Sequence, residues 1–95
     1  MTMTTTTKHQ IVVYSTAVCP KCQKLKQYLT LHGMDFEQRD LEDSGIIADL
    51  AIAGCTELKA PIIEYRNKFI GPDETFIFGQ LDTALLDGII RGAKL

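Results

Sequence analysis

The sequence has no long hydrophobic run, no long basic run and no internal repeat. Its apolar runs are a few residues long, whereas a bilayer-spanning helix needs about 20 residues, so we predict no membrane association. The first eight residues, MTMTTTTK, lack the apolar centre of a secretory signal, and we expect residues 1–9 to form a disordered tail. The net charge of −2 and the scattered Lys and Arg residues argue against nucleic-acid binding.

A chain of 95 residues has room for one domain. Hydrophobic residues make up 45% and charged residues 23%, which is ordinary for a globular protein and excludes a disordered or collagen-like chain. The three cysteines, without a secretory signal, indicate a reducing cytoplasm, where cysteines usually bind metals or do chemistry. We therefore predict one monomeric, cytoplasmic domain over residues 10–95.

The first half of the chain predicts a βαβ unit. Residues 10–15 have an unbroken apolar centre, typical of a strand that is covered on both faces. A helix is predicted from Pro20 to Gly33, with one apolar stripe formed by Cys22, Leu25, Leu29 and His32. Residues 35–41 predict a more polar strand at a sheet edge, parallel to the first strand because a helix connects the two.

The second half predicts two helices and a hairpin. Ser44 is expected to cap a helix that ends at Gly54. Residues 61–65 predict a third strand and residues 75–78 a fourth, antiparallel to it because the loop between them, 66–73, is short. After Gly79 a last helix is expected, with an apolar stripe of Leu81, Leu85, Leu86, Ile89 and Ile90. The predicted fold is α/β, in the order β-α-β-α-β-β-α.

The most informative motif is Cys19-Pro20-Lys21-Cys22, which follows a buried strand and begins a helix. A cysteine at a helix N-terminus meets unpaired N–H groups and the positive end of the helix dipole, which lower its pKa below the free value of about 8.5. The two intervening residues bring the second sulfur back within bonding distance. The motif predicts thiol–disulfide exchange, with Cys19 as the exposed nucleophile and Cys22 as the shielded resolving thiol.

Three other interpretations of the motif stay open. The pair could be a coincidence in a core helix. A zinc site needs about four ligands, and Cys55, the third candidate after Cys19 and Cys22, has no Cys or His within four residues. An iron–sulfur cluster would need ligands from two chains. We therefore predict no metal ligands.

Several single residues each allow two interpretations. Lys21 either steadies the thiolate and steers acidic partners, or is simply a solvated helix residue. Cys55 is either a small core hydrophobe or a regulatory thiol. His9 and His32 are not expected to be catalytic. Pro61 begins a buried strand, and about 5–6% of X–Pro bonds are cis, so the sequence alone leaves its isomer open.

These residues together resemble a glutaredoxin of the thioredoxin-like superfamily over about residues 10–91. The resemblance rests on Tyr14-Ser15, the Cys-Pro-Lys-Cys motif, Ala60-Pro61 and Phe78-Gly79. It implies a four-stranded mixed sheet flanked by three helices, a dithiol reductant of protein or glutathione mixed disulfides, no bound cofactor, and glutathione as the reductant. It also implies that Pro61 is cis against the active disulfide and that the Ala60 backbone bonds the substrate's cysteinyl group.

The chain departs from the family at several substrate contacts. Thr16 stands where the family usually has a Lys that pairs with a glutathione carboxylate, and Lys21 stands where it usually has a Tyr. Lys59-Ala60-Pro61 replaces Thr-Val-Pro. The substrate-binding residues implied by the resemblance are Thr16, Pro20, Lys21, Ala60, Pro61, Gly79 and Asp82.

Two segments compete for the family's Gly-Gly-x-x-Asp, which holds the other end of glutathione. Gly71-Pro72-Asp73 has the better spacing from Pro61, but Gly79 and Asp82 directly precede a helix and are preferred. Residues 68–74 then form an insertion in the hairpin. Asp82 is equally well suited to capping the last helix.

Two further functions stay open. One is a redoxin that donates electrons to ribonucleotide reductase and is itself reduced by thioredoxin reductase. Such redoxins tend to show a Gly-Phe-Arg-Pro-Asp-like stretch, which residues 79–82 do not match. The other is a non-catalytic metal or iron–sulfur protein. The expected partners are glutathione, thioredoxin reductase and disulfide-containing proteins.

Overall fold

A computed structural model describes residues 11–55, 58–66 and 68–94. The predicted tail and residue 10 of the first predicted strand lie outside these residues. The elements are β1 (Ile11–Ser15), α1 (Pro20–Leu31), β2 (Glu37–Asp40), α2 (Ser44–Ile52), β3 (Ile62–Tyr65), β4 (Lys68–Ile70), α3 (Pro72–Thr75), β5 (Phe76–Ile77), β6 (Gln80–Leu81) and α4 (Thr83–Lys94). None of the helices described is both long enough and apolar enough to cross a membrane.

Four strands form one mixed sheet in the order β2-β1-β3-β4. β1 runs parallel to β2, with Val12 opposite Glu37, and antiparallel to β3, with Val13 opposite Ile63. The predicted α/β fold with a four-stranded mixed sheet is confirmed. β2 lies at the edge, as its polar sequence predicts, because an edge strand leaves its charged side chains in water.

β1 contributes to two hydrophobic cores because successive side chains of a strand point to opposite faces. Ile11 and Val13 pack with residues of α1, β3 and α4, namely Leu25, Leu29, Ile63, Leu86, Ile89 and Ile90. Val12 and Tyr14 pack on the other face with Leu41, Leu50 and Ile62. Both faces of β1 are therefore covered, which explains its unbroken apolar sequence.

A polar network crosses three strands on the second face. The buried Tyr14 hydroxyl donates to Glu64 Oε1 at 2.5 Å and accepts from Arg39, whose own partner is Glu37 at 2.6 Å. Burial, and then the hydrogen bond to Glu64, raise the pKa of Tyr14 to about 12. Tyr14 therefore stays a protonated donor at neutral pH, and the network links β1, β2 and β3.

The predicted position of the fourth strand, residues 75–78, is wrong. The fourth strand is β4, and Tyr65 of β3 pairs with Lys68, so only two residues separate the paired strands. The antiparallel hairpin is present, but its loop is far shorter than the predicted 66–73, because two-residue connections suit the twist of paired strands. Residues 68–74 are therefore not an insertion, since they contain β4 and most of α3.

The segment predicted as that strand has two other structures. Thr75 ends the short helix α3, where it is fully buried and its hydroxyl donates to the Gly71 carbonyl at 3.3 Å. β5 and β6 then form a separate two-stranded ribbon, in which Ile77 lies opposite Gln80. The β-branched and aromatic residues of this segment do favour a strand, but it pairs with its neighbour along the chain and not with the main sheet.

The predicted cap of the second helix is displaced by one residue. Asp43, not Ser44, is the N-cap of α2, and its Oδ1 accepts from the N–H groups of Gly45 at 2.8 Å and Ile46 at 3.4 Å. Both residue types cap helices well, but the carboxylate of Asp43 also suits the positive end of the helix dipole. Ser44 is the first residue of the helix.

Candidate active site

Cys19 occupies the N-cap of α1. Its extended backbone (φ −152°, ψ 93°) ends the loop after β1, and its Sγ accepts a hydrogen bond from the N–H of Cys22 at 3.1 Å. Pro20 is the first helical residue, where its missing N–H costs no hydrogen bond. The first turn of α1 has no acidic residue, so no carboxylate within it competes for the unpaired N–H groups around the Cys19 sulfur.

Cys19 and Cys22 form a disulfide, with their Cα atoms 5.2 Å apart. Cys22 is fully buried on the apolar face of α1, whereas Cys19 is partly exposed. An incoming disulfide therefore meets the sulfur of Cys19 first. The asymmetry follows from helix geometry, since the N-cap lies at the loop while Cys22 lies one turn inside, on the same buried stripe as Leu25.

Lys21 lies between the two cysteines and is exposed. Its ammonium is 5.5 Å from the centre of the Phe76 ring, which is within cation–π distance. This contact holds β5 beside the first turn of α1. Sequence patterns did not predict it, because the two residues lie more than 50 positions apart.

The Ala60–Pro61 peptide bond is cis, as the resemblance implies, and Pro61 is buried directly before β3. A cavity of about 380 Å³ adjoins this segment. Its walls come from the residues on either side of this bond, from the turn after α2, from β4 and from the segment after β4, and they include Lys59, Ile62, Phe69, Gly71, Asp73 and Glu74. One cation and two carboxylates therefore surround a pocket next to Pro61.

The structure separates the two segments that compete for the family's glycine and acidic residues. Gly71 and Asp73 line the cavity beside Pro61. Gly79 lies in the turn between β5 and β6 with φ +79°, and Asp82 Oδ1 accepts from the N–H of Leu85 at 3.2 Å. Asp82 thus caps α4. The spacing from Pro61 indicated Gly71 as the family's glycine. The prediction from sequence preferred Gly79 and Asp82 because a helix directly follows them.

Thr16 lines a second cavity of about 370 Å³, at the carboxyl ends of β1 and β2. Lys26 and Arg39 line the same cavity, and Lys26 donates to the side chain of Gln38 at 3.2 Å. The cations nearest to Thr16 in this cavity therefore come from α1 and β2. Neither cation is among the substrate-binding residues predicted from the sequence.

Cys55 lies outside the disulfide, is half-buried and lines the cavity beside Pro61. His32 is the C-cap of α1, and its ring is 4.2 Å from that of Tyr28, while His9 lies outside the described residues. Within the part of the chain that the structure describes, no three His, Cys, Asp or Glu side chains converge as metal ligands would.

Comparison with known proteins identifies a matching family and several similar structures. The family model described as Glutaredoxin matches residues 11–70. A search of the curated proteins found no match. A thioredoxin-like protein of known structure has 17% identity and a TM-score of 0.66, and the match covers 86% of this chain and 95% of that one.

Two glutaredoxin structures are similar to a comparable degree. The glutaredoxin from Archaeoglobus fulgidus has 21% identity and a TM-score of 0.62, with 88% of each chain covered. A buckwheat glutaredoxin–glutathione complex has 21% identity and a TM-score of 0.61, with 90% of this chain and 76% of that chain covered. These likenesses show the thioredoxin-like fold. Because the family match runs from β1 through β4 and includes both bonded cysteines and Pro61, this thioredoxin-like redox protein belongs to the glutaredoxin family.

Proposed function

We propose that the protein is a thiol–disulfide oxidoreductase whose Cys19–Cys22 dithiol reduces protein disulfides or glutathione mixed disulfides. The observation that supports this most directly is the unequal setting of the two sulfurs. Cys19 is accessible and accepts an N–H at the start of α1, whereas Cys22 is fully buried one turn inside. Such an arrangement favours attack by one thiolate and resolution by the other.

In the first step the Cys19 thiolate attacks one sulfur of the substrate disulfide. A new S–S bond joins Cys19 to the substrate, the old S–S bond breaks, and the leaving thiolate takes a proton from water. Cys22 then loses its proton and attacks Cys19 Sγ, which releases the second substrate thiol. Two electrons have passed to the substrate, and the protein is left with the Cys19–Cys22 disulfide.

Glutathione returns the protein to the dithiol form in the same way. One glutathione thiolate attacks Cys19 Sγ, the Cys19–Cys22 bond breaks, and the Cys22 thiolate takes a proton. A second glutathione thiolate then attacks the glutathione sulfur of the mixed disulfide, which forms glutathione disulfide and releases the Cys19 thiolate. The cavity beside Pro61 suits the tripeptide because Lys59 can pair with a carboxylate while Asp73 and Glu74 can pair with the amino group. Lys59, which directly precedes Ala60, lines this cavity. We therefore favour Gly71 and Asp73 over Gly79 and Asp82 as glutathione contacts.

The proposal that glutathione is the reductant is supported by membership of the glutaredoxin family and by the similar buckwheat glutaredoxin, whose structure contains glutathione. The experiment that tests the reductant supplies the oxidised protein with glutathione and glutathione reductase, and in parallel with thioredoxin reductase. We expect rapid NADPH consumption with the first system only. Faster reduction by thioredoxin reductase would instead assign the protein as a redoxin of the kind that serves ribonucleotide reductase. Either donor operates in a reducing cytoplasm, where we predict that this protein is located.

We expect Thr16→Lys to lower the KM for glutathione about tenfold, equivalent to ~1.4 kcal/mol. In the family that this chain resembles, a Lys at this position pairs with a glutathione carboxylate. Such a charge-assisted bond contributes about 1.5–3 kcal/mol, against roughly 1 kcal/mol for a neutral one. Steady-state turnover of a glutathione mixed disulfide measures the change. Reduction by dithiothreitol should be unchanged, since that reaction needs only the two sulfurs.

Thr30→Lys is the matched control, because it adds the same charge at an exposed position near the other end of α1. It should leave the KM for glutathione unchanged. An unchanged KM in Thr16→Lys, combined with fast turnover of the native protein, would show that another cation such as Lys26 already holds the carboxylate.

A further inference from the structure

The ribbon formed by β5 and β6 presents two apolar side chains to solvent. Phe78 is fully exposed, at 101%, and Ile77 is 51% exposed. We call these two residues the ribbon tip. Phe76, the first residue of the ribbon, is buried, so the ribbon is attached to the body of the protein while its tip is not.

The backbone at the ribbon tip is unfavourable for the residue it holds. Phe78 and Gly79 form the two-residue loop between the paired Ile77 and Gln80, and both have positive φ, +52° and +79°. This is the conformation of a type I′ turn, whose first position favours Asn, Asp or Gly. A bulky residue with positive φ is a genuine outlier. Phe78 therefore destabilises the turn in which it lies, and its side chain is not buried in the fold. The stability of the fold does not explain why a phenylalanine occupies this position.

The ribbon lies along α1, with Phe76 at the first turn and Gln80 and Leu81 beside a cavity that extends to Leu31. The ammonium of Lys21 is 5.5 Å from the Phe76 ring, and Lys24 shares a shallow cavity of about 320 Å³ with Gln80 and Leu81. Lys21 directly precedes the buried Cys22 in the chain. The start of the ribbon, at Phe76, therefore flanks the end of α1 that holds the disulfide.

The charge of this region differs from that of the whole chain. α1 has three lysines and no acidic residue, although the protein has a net charge of −2. The acids near the ribbon in sequence have other places in the fold. Asp82 caps α4, Asp87 accepts from the Tyr28 hydroxyl, and Asp73 and Glu74 line the cavity beside Pro61.

Within the described residues neither Lys21 nor Lys24 forms an ion pair, and Lys21 contacts the ribbon through the Phe76 ring. A ribbon that carries exposed apolar side chains next to such a basic helix end matches an acidic segment that also contains an apolar side chain.

We propose that the ribbon tip, with Lys21 and Lys24, is a docking surface for an acidic, apolar segment next to the disulfide of a protein substrate. The proposal rests on the proposed function, because it names the class of protein that the dithiol reduces. The apolar side chain packs on Phe78 and Ile77, and the acidic groups pair with the two lysines. Docking at this position leaves the exposed sulfur of Cys19 free to attack.

The test replaces Phe78 by Asn, which suits the type I′ turn and should preserve or raise the unfolding midpoint. The reduced protein is mixed with synthetic peptides that each contain one internal disulfide, one flanked by Asp, Glu and Leu and one with Lys in place of the acids. Single-turnover release of peptide thiols is measured. We expect Phe78→Asn to slow reduction of the acidic peptide about tenfold and to leave reduction of hydroxyethyl disulfide unchanged.

Two further variants test position and charge. Ile52→Asn removes an apolar side chain that is 86% exposed at the end of α2, and it should not change any of the rates. Lys24→Glu should reduce the preference for the acidic peptide over the basic one, and added salt should reduce it in the native protein. Equal rates for both peptides, or equal slowing of the peptide and hydroxyethyl disulfide by Phe78→Asn, would overturn the proposal.

A binding measurement separates docking from chemistry. A fluorescent copy of the acidic peptide, with Ser in place of both cysteines, is titrated with the oxidised protein and followed by anisotropy. We expect binding that Phe78→Asn weakens about tenfold and Ile52→Asn leaves intact. Undetectable binding to the native protein would overturn the docking proposal even if hydroxyethyl disulfide is reduced. Binding without any disulfide reduction would instead overturn the proposed function.

Discussion

Cys19→Ser is expected to abolish disulfide exchange, while Cys22→Ser is expected to stop it halfway. Without Cys19 the remaining thiol of the pair is fully buried, so no accessible thiolate is left at the start of α1. Without Cys22 the exposed Cys19 still attacks, but nothing within the motif resolves the product. Cys22→Ser should therefore accumulate a mixed disulfide with glutathione, which mass spectrometry of the intact protein detects.

The position of the glutathione adduct shows which cysteine is the nucleophile. In Cys22→Ser, digestion should locate glutathione on the peptide that contains Cys19. An adduct on Cys55, or full activity of Cys19→Ser toward a small disulfide, would contradict the proposed roles. Thermal unfolding of reduced Cys19→Ser should resemble that of the reduced native protein, because Cys19 is partly exposed. Reduced Cys22→Ser should unfold at a somewhat lower temperature, because its serine hydroxyl is buried on the apolar face of α1.

Leu25→Ala is expected to lower the free energy of unfolding by about 2–5 kcal/mol, as other buried Leu-to-Ala changes do. Leu25 is fully buried one turn after Cys22 and packs in the core between α1 and β1. Truncating Leu25 leaves a cavity where α1, the helix that carries the disulfide, packs against β1. Urea unfolding of the reduced protein measures the change.

Leu31→Ala is the matched control, since it makes the same change on the same helix at a side chain that is 84% exposed. It should change the free energy of unfolding by less than about 0.5 kcal/mol, as surface substitutions usually do. If the two variants were equally stable, the packing of α1 on the sheet described above would be wrong.

The features that the sequence predicted well depend on short-range geometry. The Cys-Pro-Lys-Cys spacing brings the two sulfurs together within one helical turn, and Pro20 suits the first helical position whatever surrounds it. The unbroken apolar run of β1 predicts a strand covered on both faces, because water is unfavourable on either side of it. The parallel pairing of β1 with β2 follows from the helix that connects them.

The errors of sequence analysis occur where distant residues compete for the same partner. Residues 68–70 and 75–78 both have strand propensity, but β3 has only one free edge on which a strand can form hydrogen bonds. Residues 68–70 pair with that edge, and residues 76–77 pair with residues 80–81. The shorter and less apolar segment took that edge because only two residues separate it from β3. A strand propensity is local, whereas a place in a sheet depends on which neighbour closes the smaller loop.

The surroundings of the predicted site residues depend on the tertiary structure. The sequence by itself determined the pair of cysteines, their helix and the strand before it. Only the folded chain brings Gly71 and Asp73 beside Pro61, places Lys26 and Arg39 near Thr16, and sets the Phe76 ring against Lys21. These contacts join residues from separate elements, and their distances depend on how the helices pack on the sheet. No periodicity or spacing within a single element contains that information.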